Sequence, residues 1–150
     1  MCAALDGRQL PRLFSLGAVR RWRKREILFR AGDAMGSFFK IRAGLVAVSR
    51  IVDDGRRQIL ALRAPGDCIG YLEEDGRYTF EGQALTDVEA CSFDRREFDR
   101  FAAQNPALAA ATAEALAATL RQAGEALLVV GQLSSTERVA HFLVEVDALY

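Results

Sequence analysis

Short apolar segments separated by glycine occupy the first two thirds of the chain, and a long alanine- and leucine-rich stretch follows them. The glycines recur roughly every eleven residues, a spacing that is typical of short strands in a sandwich or barrel. The pattern changes at Asn105-Pro106. We therefore predict a β-rich domain over residues 1–104, a long helix over 105–133, and the first helix of another domain over 134–150. The glycines are Gly32, Gly44, Gly55, Gly66 and Gly76.

Alternating and β-branched runs predict the strands of the first domain. Asp53-Asp54-Gly55 and Ala64-Pro65-Gly66-Asp67 carry turn residues between them, because Asp and Gly tolerate positive φ and Pro fixes φ. About eight strands indicate a mainly β fold with α, a double-stranded β-helix jelly roll followed by a long helix. The strands are predicted at Glu26–Arg30, Ser37–Arg42, Leu45–Ile51, Arg57–Leu62, Thr79–Leu85 and Val88–Phe93, with short helices at Gln9–Leu16 and Arg95–Ala102, the latter capped by Asp94.

The long helix carries a seven-residue apolar repeat, which is the pattern of a coiled-coil seam. Two explanations stay open, a homodimer seam or a face that packs on the chain's own barrel, and we predict the seam. Gly124 weakens this helix by roughly 1 kcal/mol relative to Ala, so packing must compensate. One seam position holds Ala109, Leu116, Ala123 and Val130, and the other holds Ala113, Leu120 and Leu127.

The segment after Gly131 predicts a further helix. Ser134 and Glu137 have the spacing of a capping box, in which each side chain bonds the other residue's backbone N–H. Apolar residues then recur on one face of the helix. These residues are Val139, Phe142, Leu143 and Val146.

Composition limits the classes of function. The 150 residues are 51% hydrophobic, enough for one ordinary core, and 20 basic residues balance 20 acidic ones. Without a net positive charge, the chain as a whole does not resemble a nucleic-acid binder. The basic run Arg20–Arg25 is interpreted as a solvated face beside a buried Trp22. No apolar segment is long enough to span a bilayer or to direct secretion, so a cytoplasmic protein without membrane contact is predicted.

Four segments resemble the Crp/Fnr family of bacterial transcription regulators, and their order and spacing extend the resemblance over nearly the whole chain. The resemblance implies a cyclic-nucleotide-binding-type jelly roll, a helix that forms a homodimer, and a C-terminal helix-turn-helix domain that binds DNA. The chain stops at Tyr150, before any recognition helix, so we expect a truncated regulator that reaches DNA only through the missing domain. The segments are Ile27–Asp33, Phe39–Val46, Asp54–Leu60 and Ala64–Gly70.

The resemblance also indicates where an effector would bind. Members that bind cyclic AMP have a glutamate for the ribose after the Pro-Gly-Asp turn, and an Arg-Ser pair for the phosphate on a later strand. Here Tyr71 follows Gly70 at the first position, and Tyr78-Thr79 stand at the second, with Arg77 one position away. These five residues are the candidate pocket. Because the glutamate that would bind the ribose and the Arg-Ser pair that would bind the phosphate are both missing, cyclic AMP is not expected to bind.

Redox sensing is the second candidate. Cys91 aligns with an iron-sulfur ligand of the oxygen-sensing Fnr branch, but that branch needs three clustered N-terminal cysteines, and only Cys2 is found there. A four-iron cluster needs four thiolates, so neither a cluster nor another cofactor is predicted. Three cysteines without C-x-x-C spacing fit a reducing compartment. Cys68 and Cys91 are expected to be buried strand residues, with a thiol switch as the alternative.

The remaining chemistry is sparse. His141 is the only histidine and is expected on a helix surface, and no catalytic grouping or metal-ligand cluster occurs, so no enzyme is predicted. The sequence therefore predicts the sensor and dimerisation region of a Crp/Fnr-type regulator, closest in pattern to the FixK-like members. The alternative is a stand-alone small-molecule-binding module of the same fold.

Overall fold

The structure, a computed structural model, describes residues 11, 13, 15–71 and 73–147. The described residues form two compact units, of which one ends at Gln104 and the other begins at Asn105. The predicted helix Gln9–Leu16 lies partly outside the described residues. Within it, Pro11, Leu13 and Ser15 are helical.

The first unit is a roll of short antiparallel strands. Its described strands are β1 (Gly17–Trp22), β2 (Ile27–Phe29), β3 (Ser37–Ala43), β4 (Val46–Ile51), β5 (Arg57–Arg63), β6 (Cys68–Ile69), β7 (Glu73–Glu74), β8 (Arg77–Tyr78), β9 (Glu81–Ala84) and β10 (Val88–Asp94). One sheet has the order β1-β10-β3-β6, the second has the order β2-β9-β4-β5, and β7 pairs with β8 in a hairpin. This architecture agrees with the predicted mainly β fold class.

Three of these strands, β1, β7 and β8, were not predicted, and β6 was expected only in so far as Cys68 was placed on a strand. β1 coincides with the basic run that was interpreted as a solvated face, and most of its side chains are indeed exposed. It is nevertheless a full partner of β10, from Gly17 opposite Phe93 to Trp22 opposite Val88. An edge strand covered by arginines has no apolar alternation to reveal it. β6, β7 and β8 have two residues each, which is too short for any periodicity.

Aromatic rings fill the space between the two sheets. The Phe29 and Phe39 rings stack with centroids 5.7 Å apart, and the Tyr78 ring lies 4.7 Å from that of Phe29. Trp22 meets Phe39 edge-on at 5.5 Å. A Cβ at Gly82 would lie 2.5 Å from the Phe29 ring, so glycine at this position makes room for the ring. The other buried members of this core are Ile41, Val46, Ile69, Ala84, Val88 and Ala90.

A second aromatic cluster lies on the opposite face of the first sheet. Phe38 stacks on Phe93 at 5.3 Å and meets Phe98 edge-on at 4.8 Å. Phe98 belongs to helix α1 (Arg95–Ala103), which starts as predicted: the Asp94 side chain accepts a hydrogen bond from the Glu97 N–H at 2.9 Å. Because successive side chains of a strand point to opposite faces, Phe38 packs on one face of β3 and Phe39 packs on the other.

The second unit contains helix α2 (Pro106–Gln132) and helix α3 (Ser135–Asp147). The predicted capping box at the start of α3 is confirmed, because the Ser134 N–H donates to Glu137 Oε2 at 2.8 Å and the Glu137 N–H donates to Ser134 Oγ at 3.4 Å. The predicted seam side chains of α2 are exposed in the single chain, with Leu120 and Leu127 each 74% accessible. Leu116, Ala123 and Val130 are exposed as well.

Gly44 and Gly55 form a matched pair for testing this fold. Both have positive φ, 87° and 83°, but a Cβ at Gly44 would collide with the Asp87 carbonyl oxygen, whereas Gly55 has open space around it. Gly55→Ala should lower the free energy of unfolding by about 1 kcal/mol through backbone strain alone. Gly44→Ala should lower it by about 3 kcal/mol, measured by urea unfolding. Equal losses would contradict the close approach of the chain at Gly44.

Candidate functional site

A cleft of about 640 Å³ opens beside β4, β9 and the β7–β8 hairpin of the first unit. Val46 and Val48 of β4 face the aromatic core, so Ser49 faces the other side of the sheet, where it lines the cleft. The charged lining is balanced between three cations and three anions. These residues are Arg30, Arg50, Arg77, Glu74, Asp75 and Glu81.

Arg77 joins two segments at the rim of the cleft. Its Nη1 donates a hydrogen bond to the Gly32 carbonyl at 2.7 Å, and the Gly32 N–H donates to the Tyr78 carbonyl at 2.8 Å. These bonds hold the turn after β2 against β8. One edge of the guanidinium is therefore already engaged with the backbone.

Tyr78 is a core residue as well as a lining residue. Its side chain is only 7% exposed, and its hydroxyl donates to the Ser37 carbonyl at 2.6 Å. Burial raises the pKa of Tyr78, while hydrogen bonds from the backbone near Ser37 act in the opposite direction. The phenol is thus a structural hydrogen-bond donor, and it does not supply the positive charge that binding of a phosphate requires.

A polar network built from three strands extends from the cleft residues Ser49 and Glu81 to Arg57 and Gln83. Ser49 is 1% exposed, and its Oγ accepts a hydrogen bond from Arg57 Nε at 2.9 Å. Arg57 Nη1 also donates to Gln83 Oε1 at 2.6 Å. The Glu81 carboxylate lies 3.6 Å from the Arg30 guanidinium and 4.0 Å from that of Arg57. Glu81 therefore offsets much of the positive charge that these arginines would present to an anion.

Tyr71 packs against helix α1 and does not line the cleft. The Arg95 guanidinium lies over its ring, 3.9 Å from the centroid, and Arg95 Nη1 donates to the Tyr71 carbonyl at 3.1 Å. The Tyr71 hydroxyl donates to Asp99 Oδ1 at 3.3 Å, and Phe38 packs edge-on against the ring. Burial raises the pKa of Tyr71, with Arg95 opposing this effect and Asp99 adding to it.

The cleft thus gathers three of the five predicted pocket residues, Arg77, Tyr78 and Thr79. Gly70, with φ of 72°, instead lies among the rings of Phe29, Phe39 and Tyr78. The Tyr71 ring packs against Arg95 of α1. Sequence reasoning missed the cleft residues Ser49 and Glu81 and their partners Arg57 and Gln83. The available signal was in β9, where the polar residues Glu81 and Gln83 alternate with Gly82 and Ala84.

The two described cysteines lie on one row of the first sheet. Lys40 is directly opposite Cys68 on one side and opposite Cys91 on the other. Two strand spacings separate the cysteines by about 10 Å, beyond the roughly 7 Å limit between the Cα atoms of a disulfide. Both lie on strands, as expected, but they are partly buried and not fully buried.

Several predictions concern chemistry outside the cleft. His141 lies on the exposed surface of α3, with Nδ1 3.7 Å from Glu145 Oε2. In the part of the chain that the structure describes, no group of three or more His, Cys, Asp or Glu side chains could hold a metal ion. Among the same residues, every helix falls short of the length or apolarity that a bilayer crossing requires.

The family is established by comparison with known proteins. The family model described as "Cyclic nucleotide-binding domain" matches residues 19–105, more than half of the chain. The chain therefore belongs to this family, and the predicted jelly roll of cyclic-nucleotide-binding type is confirmed. Membership describes the fold of the roll.

The chain's relatives are Crp/Fnr-type regulators, which confirms the resemblance found in the sequence. The nitrogen fixation regulation protein FixK of Bradyrhizobium diazoefficiens is 31% identical over 144 residues, which are 96% of this chain and 60% of that protein. The transcriptional activator protein Anr of Pseudomonas aeruginosa is 30% identical over 129 residues, covering 85% of this chain and 53% of Anr.

Solved structures give the same assignment. The structure of FixK2 from Bradyrhizobium japonicum matches with a TM-score of 0.79 and 28% identity, over 88% of this chain and 66% of that one. The Thermus thermophilus catabolite activator protein shares the fold, with a TM-score of 0.71 at 23% identity. The chain thus spans roughly half to two thirds of the length of the proteins it matches.

The raised pKa values of Tyr71 and Tyr78 predict a loss of stability in alkali. A raised native pKa means that the folded state keeps its proton after the unfolded chain has released it. The free energy of unfolding should therefore fall as the pH rises above about 10. Urea unfolding between about pH 9 and pH 11 measures the slope of the free energy of unfolding against pH. The slope should become shallower in Tyr71→Phe, and an unchanged slope would contradict the buried state of the phenol.

Proposed function

We propose that the chain is the sensor and dimerisation region of a bacterial, cytoplasmic Crp/Fnr-type transcription regulator. The observation that carries this proposal is the combination of a cyclic-nucleotide-binding-type roll with a 27-residue helix, α2, whose apolar repeat is exposed. The match to FixK over 96% of the chain includes both parts. The relatives are named regulators and activators.

The exposed repeat of α2 supports pairing with a second copy of the chain. Leu116, Leu120 and Leu127 recur at heptad spacing, and each is at least 42% exposed in the single chain. Leucines at this exposure are stabilised when a facing helix covers them. Only three charged residues interrupt the helix, and Glu114 and Arg121 neutralise each other at 3.2 Å. The face is therefore free to form an apolar seam.

A paired helix gives such a regulator its geometric role. Two copies joined along α2 would hold two DNA-reading domains at one fixed separation, which sets the spacing of the half-sites they contact. Contact with DNA would come from a domain outside residues 1–150. The balanced charge of this region, 20 basic and 20 acidic residues, agrees with this division of roles.

An effector, where one acts, is proposed to differ from cyclic AMP. A cyclic phosphate is bound by a guanidinium together with local N–H and O–H donors. In this roll Tyr78 occupies the core, Arg77 is engaged with Gly32, and the cleft carries Glu74 and Asp75 at its rim. The two carboxylates would repel an anion, and Tyr71 points its hydroxyl at Asp99 on α1.

The dimer is tested by one substitution on the seam and one beside it. Leu120→Glu would bury a charge between two helices, so the dimer dissociation constant should rise by at least about a hundredfold. Leu128→Glu is the matched control, since Leu128 is 63% exposed but lies off the seam. Light scattering should give monomers for the first variant and dimers for the second. A monomeric parent protein would instead favour the stand-alone binding module.

The effector proposal is tested by calorimetry. Cyclic AMP and cyclic GMP titrated into the dimer should give no saturable heat at concentrations up to about 1 mM, because the roll lacks the phosphate and ribose contacts. Arg77→Met serves as the control for weak contacts at the rim. Tight saturable binding that Arg77→Met abolishes would show that Arg77 takes the place of the missing Arg-Ser pair.

A further inference from the structure

The two strands of the β7–β8 hairpin are anchored to the roll in different ways. β8 is fixed by backbone bonds, because the Gly32 N–H donates to the Tyr78 carbonyl at 2.8 Å and the Tyr78 N–H donates to the Asp33 carbonyl at 3.0 Å. The Met35 N–H also donates to the Gly76 carbonyl at 2.8 Å. Among the described residues, β7 pairs with β8 alone. The position of β7 therefore depends on contacts outside the two sheets.

Tyr71 supplies such contacts just before β7. The Arg95 guanidinium lies 3.9 Å from the centroid of its ring, and Arg95 Nη1 donates to the Tyr71 carbonyl at 3.1 Å. The Tyr71 hydroxyl donates to Asp99 Oδ1 at 3.3 Å, and Asp99 Oδ2 accepts from Arg95 Nε at 2.7 Å. Tyr71, Arg95 and Asp99 thus contact one another in a closed set, which we call the latch. The latch joins the chain before β7 to helix α1.

A glycine with positive φ stands on each side of β7. Gly70 has φ of 72° and Gly76 has φ of 71°. Because glycine adopts both signs of φ readily, such positions can absorb the dihedral changes of a moving segment. Tyr71, β7 and Asp75 lie between these two glycines, and we call them the β7 segment.

The β7 segment forms one wall of the candidate cleft. Glu74 and Asp75 line the cleft, and both are exposed. Glu81, the third carboxylate of the lining, is paired with Arg30 at 3.6 Å, whereas no ion pair holds Glu74 or Asp75 to the roll among the described residues. This wall is therefore held by β8 on one side and by the latch on the other.

We propose that the β7 segment is a lid on the cleft and that Tyr71 is the positioning residue that keeps the lid closed. When the Tyr71 ring leaves Arg95, the β7 segment turns about its two flanking glycines, while β8 stays bonded to the turn after β2. The lid carries its two carboxylates with it, so Glu81 alone remains beside the three arginines of the cleft. An open lid thus changes the charge of the cleft from balanced to positive. The latch is a property of the roll alone, and it does not depend on dimer formation or on DNA binding.

A glutamate-specific protease applied to the whole chain measures the opening of the lid, because β7 consists of Glu73 and Glu74 and the rate of cleavage follows the open population. Tyr71→Leu and Arg95→Met should each raise the initial rate of cleavage within β7 roughly tenfold, through loss of the cation–π contact and its hydrogen bonds. Arg96→Met is the matched control, since Arg96 is exposed beside Arg95 on α1 but lies outside the latch, and it should keep the parent rate.

Cleavage after Glu81 shows whether the lid alone has opened. Glu81 belongs to β9, which lies between β2 and β4, so cleavage there should stay slow in every variant. Equal acceleration after Glu81 would mean that the whole roll has loosened, and it would overturn the lid. An unchanged rate within β7 in both latch variants would overturn it as well.

Two further variants separate a latch from two independent contributions to stability. Tyr71→Phe keeps the ring beside Arg95 and loses only the hydroxyl contact, so its cleavage rate should stay within about threefold of the parent rate. The double variant Tyr71→Leu/Arg95→Met should be cleaved no faster than the faster single variant, because both residues act through one contact. A rate near the product of the single effects, about a hundredfold, would contradict the latch. Cleavage of Tyr71→Phe as fast as that of Tyr71→Leu would contradict the role of the ring.

Discussion

The packing of the Phe29 ring is the constraint on which the roll depends. Phe29 belongs to the second sheet, and its ring stacks on Phe39 of the first sheet and lies 4.7 Å from Tyr78. Gly82 on the neighbouring strand allows this position, because any Cβ there would meet the ring. Burying three large aromatic side chains stabilises the roll by several kcal/mol and joins the sheets and the β7–β8 hairpin. The space between the sheets is thus occupied by protein.

This packing determines what the candidate site offers. Because Tyr78 is drawn into the core, β8 lies against the turn after β2, and Arg77 reaches the Gly32 carbonyl. The polar residues of β4 and β9 then face a cleft of mixed charge, while Tyr71 is held by Arg95 on α1. We therefore propose that this cleft, with as many carboxylates as arginines in its lining, suits an anion poorly.

The sequence predicted the parts of the fold that have a strong local signal. The turn at Gly55, the cap at Asp94 and the capping box at Ser134 were all correct, since each depends on residues adjacent in sequence. β1, β7 and β8 were missed because tertiary pairing alone defines them. The same limit applies to the site: Tyr71 and Tyr78 were both predicted to line the pocket, but their contacts with Arg95 and Phe29 come from distant parts of the chain.

Pairing along α2 is tested most directly by cross-linking, in a protein whose three cysteines are replaced by serine. A single cysteine introduced as Leu120→Cys should form a disulfide between two copies under mild oxidation, because seam residues of paired helices approach within disulfide distance. Leu128→Cys, which lies off the seam, should remain monomeric under denaturing conditions. Cross-linking of Leu128→Cys without that of Leu120→Cys, or of neither, would contradict the proposed dimer.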